Sequence, residues 1–280
     1  MFIKNYIYLF IVVFSFGFNL KSQNITTYKV KDNLYFVGDR TFSCFYITDK
    51  EVIVIDPLDS LRASATLSEI QKITTKPVTK VFYSHNHWDH ISGGQIFNQK
   101  GTEFIAHIDA KNNITPNPKV IPPTTTWEGN KKIYHLGNGQ DIELYFFGLN
   151  HGAGMTVFRF VEHNAIFIID LVVPDRVLYA YLPDASPKDW VETLKEIQKL
   201  EFDDVYMSHM RVEGDRRDIT FMQEYFDALY KAVQTELDEG TSFFDIPKKV
   251  KLPQYEHLKN YEEWLPMNVW RILMEKSIGK

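Results

Sequence analysis

The stretch Ser84-His85-Asn86-His87-Trp88-Asp89-His90 constrains this chain more than any other. It gathers three of the 9 histidines of a 280-residue chain, with one carboxylate, between positions 85 and 90. It follows Lys80-Val81-Phe82-Tyr83, a short apolar run that reads as a buried strand, and precedes Gly93-Gly94. Neutral imidazole and carboxylate are the donors that borderline divalent metals prefer. Alternate side chains of extended backbone share a side, so His85 and His87 point the same way. Asp89 and His90 lie past a turn, where they can reach a second metal. One loop can therefore begin two neighbouring sites. A polar loop with histidines scattered by chance is the plainer reading, and the spacing argues against it.

The H-x-H-x-D-H pattern at a strand end resembles the signature of the metallo-β-lactamase superfamily. That resemblance implies an α/β fold, a four-layer αββα sandwich, with a dinuclear metal site on one rim. It also requires later ligands, and three positions match. His151 lies in Gly148-Leu149-Asn150-His151-Gly152-Ala153-Gly154, Asp170 ends the apolar run from Ala165 to Ile169, and His209 ends Val205-Tyr206-Met207-Ser208. By the resemblance His85, His87 and His151 hold one metal, Asp89, His90 and His209 hold the other, and Asp170 bridges them. Asp170 matches the bridging carboxylate of glyoxalase II, ribonuclease Z and lactonase-type members; members with cysteine there differ. A carboxylate at the end of an apolar strand costs free energy unless it is paired or bound to a cation. Around His209 many relatives carry Pro-Gly-His-Gly, whereas Met207-Ser208-His209-Met210 lacks both glycines. Asp56, closing Val52-Ile53-Val54-Ile55, matches a carboxylate that supports the metal loop from behind; a turn or capping role is the other reading.

Residues 1–23 differ in kind from the rest. A short segment with one basic residue, Lys4, leads into an almost wholly apolar run from Tyr6 to Phe18, then polar Lys21-Ser22-Gln23-Asn24. This is the layout of a secretory signal peptide, cleaved near Ser22 or Gln23. An uncleaved N-terminal anchor is the alternative, although the run falls short of the roughly 20 residues of a spanning helix. Cleavage removes Lys4 and Lys21 and no carboxylate, taking the formal charge from −5 to −7. The expected location is the bacterial periplasm or the exterior, with no stable membrane insertion after signal removal. The single cysteine, Cys44, makes no internal disulfide and reads as a buried thiol. The acidic balance argues against a nucleic-acid partner, since phosphate binding needs a basic face. A small-molecule substrate is expected.

Residues 24–240 read as the catalytic domain and 241–280 as a helical tail packed on it. Ser60–Thr75 has helical spacing, with Leu61, Leu67, Ile70 and Ile73 as the apolar face and Ser60 as the N-cap. His107 reads as structural, and His163 as a solvated turn residue. The resemblance implies a metal-dependent hydrolase in which two divalent ions share a hydroxide. Zinc is the default, and iron and manganese suit the same donors. Asp89 is the candidate to orient that hydroxide and shuttle its proton. Tyr179 and Tyr181 are candidates to donate to a developing oxyanion, and Arg211 to hold an anionic substrate group. The expected substrate is a small ester or lactone, with β-lactams second. A mononuclear-iron oxygenase on the same fold, and a metal-binding protein without turnover, are the other classes.

Overall fold

The computed structural model describes residues 24–279, so the expected signal peptide at 1–23 lies outside the described residues. Two sheets face each other. The first runs in chain order: β1 (Thr26–Lys31), β2 (Leu34–Gly38), β3 (Phe42–Ile47), β4 (Val52–Ile55), β5 (Val78–Phe82), β6 (Glu103–His107) and β7 (Thr125–Trp127). Pairing is antiparallel from β1 to β4 and parallel from β4 to β7. The second sheet holds β8 (Lys131–Tyr134), β9 (Ile142–Phe146), β10 (Thr156–Phe160), β11 (Ala165–Phe167), β12 (Asp204–Tyr206) and β13 (Glu213–Gly214), in the order β13-β12-β11-β10-β9-β8.

Alternation of side chains builds the layers. On β2, Leu34 and Phe36 face the second sheet, while Tyr35 and Val37 face the outer layer; on β4, Ile53 and Ile55 face inward and Val52 and Val54 outward. The inter-sheet core adds Phe158, Phe160, Phe167 and Cys44, whose thiol is buried as expected. Outside the first sheet lies α1 (Ser60–Ile73). Outside the second lie α4 (Pro187–Gln198), α5 (Arg216–Asp238) and α7 (Tyr261–Ile278). The short helices are α2 (Trp88–Ile91), α3 (Ile108–Asn113) and α6 (Ile246–Lys249). This is the expected αββα sandwich. Among the described residues no helix is long and apolar enough to cross a membrane.

Three local expectations are corrected. Asp59, not Ser60, caps α1, accepting from the backbone N–H groups of Leu61 (2.9 Å) and Arg62 (3.0 Å). The buried face of α1 is Ala63, Thr66 and Ile70, and Leu61 and Ile73 are exposed. A small face is needed there because the Gly93 loop packs against it: a Cβ on Gly93 would stand 2.8 Å from that of Ala63. His163 is not solvated; its Nε2 lies 2.6 Å from Asn33 Oδ1 across the sandwich.

The tail is integrated into the outer layer. Leu265, Val269, Ile272 and Leu273 of α7 join the core that contains Trp190, Leu194 and Phe226. Asn268, buried, accepts from the Tyr225 hydroxyl (2.8 Å) and donates to the carbonyls of Leu178 (3.0 Å) and Ala180 (2.8 Å). The helix thereby grips the loop that follows Asp170.

Candidate metal centre

The centre sits where strands of both sheets end. After β4 the chain turns sharply, with Asp56 and Leu58 in left-handed backbone (φ 52° and 60°). Asp56 is wholly buried. It accepts from the backbone N–H of Ser84 (2.8 Å) and the Ser84 hydroxyl (2.6 Å), and its Oδ2 stands 2.9 Å from His90 Nδ1. A buried carboxylate requires such partners, and here they fix the shape of the loop after β5. His87 stands just before α2, whose first turn presents Asp89 and His90.

The second sheet supplies the other side. The β9–β10 loop is tied to the β5 loop by the bond from Thr156 N–H to the Ser84 carbonyl (2.8 Å) and by Ala153 N–H donating to Asn86 Oδ1 (2.9 Å). Gly152 permits this approach: a Cβ there would lie 3.1 Å from His87 Nε2 and 3.2 Å from His85 Cδ2. Asp170 and His209 follow β11 and β12, each beside a non-glycine residue of positive φ, Ile169 (39°) and Met210 (69°). For β-branched Ile169 this conformation is a real outlier, of the kind that collects at functional sites.

Four imidazoles stand within 4 Å of one carboxylate. Asp170 Oδ2 is 3.1 Å from His90 Nε2, 3.2 Å from His151 Nε2 and 3.8 Å from His85 Nε2, and its Oδ1 is 2.8 Å from His209 Nε2. Two groups with donor atoms within 4.8 Å of one another result: His85, His87, His151 and Asp170, and Asp89, His90 and His209. A third, Asp56, His85 and His90, has its carboxylate already committed to Ser84. Asp170 touches members of both main groups.

The donors fit metal ions. His85 Nε2, His90 Nε2 and His151 Nε2 are buried with no hydrogen-bond partner. In four of the five rings the opposite nitrogen is held: His85 Nδ1 by the Ser84 hydroxyl (2.8 Å), His90 Nδ1 by Asp56, His209 Nδ1 by the Thr41 hydroxyl (3.2 Å), and His87 Nε2 by Asp184 (2.8 Å), whereas His151 Nδ1 has no hydrogen-bond partner among the described residues. Metal-binding histidines are oriented in this way, one nitrogen anchored and the other free. Without a cation the cluster shares its charge unevenly. Burial, then the charges of His87 and His90, push His85 well down. For His90 burial is outweighed by Asp170 and Asp56, and its pKa rises well above the ordinary value. Burial would raise Asp170, yet His209 and His90 hold it well below the carboxylate range.

Of the other sequence candidates, Tyr179 and Tyr181 are exposed on the loop after Asp170, Tyr179 edge-on to Trp264 with centroids 5.1 Å apart. Arg211 is turned to carboxylates outside the cluster. It donates to Asp175 (3.0 Å) and to both carboxylate oxygens of Asp218 (2.6 and 3.2 Å). The positive φ at Met210 turns the chain, and Arg211 leaves the cluster. His107 is structural: it caps α3 through Asp109 N–H and stacks on Phe146 at 3.9 Å. Sequence reasoning missed Asp184, Ser84 and Thr41. Ser84 adjoins the motif, but no pattern marks the other two.

Comparison with known proteins agrees with this geometry. The sequence model of the metallo-beta-lactamase superfamily matches residues 37–209. A curated relative, 2,4-dinitroanisole O-demethylase subunit alpha of Nocardioides sp. (strain JS1661), is 24% identical over 268 residues, covering 91% of this chain and 81% of its own. Among solved structures, a metallo-beta-lactamase from Pontibacter korlensis aligns with TM-score 0.64 and 18% identity over 72% of this chain and 99% of its own. The stereoselective inverting sec-alkylsulfatase Pisa1 from Pseudomonas sp. aligns with TM-score 0.75 and 16% identity over 91% of this chain and 50% of its own. At these identities the structures speak for the fold alone.

Proposed function

For a chain that belongs to the metallo-beta-lactamase superfamily, and is thus a metal-dependent hydrolase, we propose a two-metal enzyme, exported from the cell, that opens small esters or lactones. The observation that carries this reading is the position of Asp170, whose Oδ2 stands between His151 of one histidine group and His90 of the other while its Oδ1 meets His209. His85, His87 and His151 would hold one divalent cation, Asp89, His90 and His209 the other, with Asp170 reaching both. Zinc fits the nitrogen-rich donor set best. Bound there, such a pair supplies an ionised water at neutral pH and a Lewis acid for a carbonyl.

The chain's own residues do the rest. Asp56, Ser84, Thr41 and Asp184 orient the rings. Asp89, exposed and 3.7 Å from His90 Nε2, is the carboxylate open to solvent, placed to take up and return a proton. Exposed Trp88, Leu149, Tyr179 and Tyr181 lie on the segments that carry the cluster and offer apolar surface to the body of a small ester.

The test is a substrate panel on zinc-loaded mature protein: aryl esters, lactones, β-lactams, phosphodiesters, sulfate esters and, given the name of the curated relative, a nitroaryl methyl ether. Lactones or aryl esters are expected to exceed β-lactams at least tenfold in kcat/KM, about 1.4 kcal/mol in barrier, and His87→Ala to abolish turnover. Efficient β-lactam opening without esterase or lactonase activity would reverse the ranking, and a preference for the ether would displace the ester. One iron per chain with oxygen-dependent turnover would favour the oxygenase class. Export is tested by N-terminal sequencing, with cleavage expected near residue 22 or 23; an intact Met1 on cytoplasmic protein would sink it.

A further inference from the structure

His151 differs from the other four rings of the centre. Its Nδ1 and Nε2 are both buried, and neither has a hydrogen-bond partner among the described residues. Burial holds its pKa below the ordinary value, against the pull of Asp170. With Nε2 given to a cation, the one proton of a neutral imidazole must sit on Nδ1. A buried N–H without an acceptor costs free energy, so another group has to meet it.

The ring beside it is an indole. Trp190, buried on α4, has its centroid 5.0 Å from that of His151 and its plane at 81° to it, an edge-to-face arrangement. An aromatic face carries partial negative charge and accepts an N–H weakly. Indole is the best such face among the side chains. Trp190 is itself fixed: its Nε1–H donates to the Leu171 carbonyl (3.1 Å), next to Asp170, and Phe226 packs against it at 5.4 Å. Asn150 joins the two sides. Its backbone carbonyl accepts from Ser186 N–H at the start of α4 (2.7 Å), its Nδ2 donates to the Thr193 hydroxyl (3.2 Å), and its Oδ1 accepts from His151 N–H (2.6 Å). The loop that carries His151 and the helix that carries Trp190 are thus stitched together.

We propose that Trp190 is a positioning residue for the metal centre: its indole face receives the Nδ1–H of His151 in place of the oxygen acceptor that the other four rings have. A cation on Nε2 draws electrons from the imidazole and makes Nδ1–H more positive, so the face holds the metal-bound ring more strongly than the free one. The inference rests on the metal reading above and is independent of the substrate.

Zinc-loaded protein with isotope-labelled histidine is examined by NMR. The ring N–H protons of His85, His87, His90 and His209, bonded to oxygen, are expected far downfield, and that of His151 well upfield of them, shielded by the indole. Trp190→Leu should move the His151 signal downfield, and Trp190→Phe should keep it shielded. Competition with a chelator should show one zinc equivalent weakened about tenfold in Trp190→Leu, with most of the loss restored in Trp190→Phe. Leu194→Ala, a cavity in the same helix and core, should lose stability and keep both affinities. A His151 proton among the oxygen-bonded signals, a shift that Trp190→Leu leaves unchanged, or an affinity loss that Leu194→Ala reproduces overturns the proposal. If Trp190→Leu does not fold, the wild-type spectrum and Trp190→Phe decide. Wild type that takes up no zinc ends the metal reading and this one with it, whereas a zinc-loaded protein without the shielded proton ends only the role of the indole.

Discussion

Asp184 places a carboxylate oxygen 2.8 Å from His87 Nε2, across 97 residues of chain, and leaves Nδ1 as the nitrogen open to a cation. Against burial, the two groups raise the pKa of His87 and lower that of Asp184. Partners of this kind fix ring orientation and donor strength, and their loss costs about 10–100-fold in metal affinity. Asp184→Ala is therefore expected to weaken one of the two metal equivalents by that factor, read by competition with a chromophoric chelator. Unchanged affinity for both equivalents would mean that His87 needs no such partner.

Metal content and stability should move together. Elemental analysis of protein purified without chelator is expected to give two metals per chain, and His87→Ala about one. Free metal at about 100 times its dissociation constant adds roughly 2.7 kcal/mol to stability, or about 5–10 °C in Tm for a domain of this size. Chelation should reverse that shift. A ratio that stays near one when zinc is added would count against the dinuclear reading.

Asp56 should be a stability residue as much as a metal-loop residue. Asp56→Ala leaves the Ser84 N–H, the Ser84 hydroxyl and His90 Nδ1 without their acceptor in a fully buried space. At about 1–3 kcal/mol for each orphaned group, a loss of about 3 kcal/mol or more is expected. Urea unfolding of metal-free protein measures it. Asp56→Asn, which keeps an oxygen for Ser84, should lose less.

One pair away from the centre sets an acid limit. Arg62 donates to Asp39 at 2.6 and 3.0 Å and also holds the cap residue Asp59. Burial would raise Asp39, but Arg62 and the Arg40 N–H outweigh it and bring the carboxyl below its ordinary 3.8. A lowered folded pKa means stabilisation that is full above the unfolded value and lost as pH falls through the folded one. Wild type should exceed Asp39→Asn by about 1–2 kcal/mol from neutrality down to about pH 5. The gap should close under stronger acid, and a gap independent of pH would exclude the ion pair as its source.

What was legible in the sequence follows from locality. His85, His87, Asp89 and His90 share one loop, so their spacing alone announces metal chemistry, and alternation within β2 and β4 announces buried strands. On α1, Leu67 and Ile70 pack on the core as read, whereas Leu61 and Ile73 do not, because close packing against Gly93 selects small Ala63 on the buried face. Arg211 misled because two residues from His209 is near in sequence, whereas the reversal at Met210 carries it to Asp218. Asp184 and Thr41 carry no local signal, because each meets its histidine only when distant segments fold together.

Neither sheet holds a finished metal site. The first group needs His85 and His87 from one sheet and His151 and Asp170 from the other; the second joins Asp89 and His90 to His209 across the same seam. A half-built chain, with one sheet formed and the other unmade, thus offers an ion only fragments of either coordination sphere. Ion loading would then report on folding, since full coordination would be offered only by chains whose two halves have met in register.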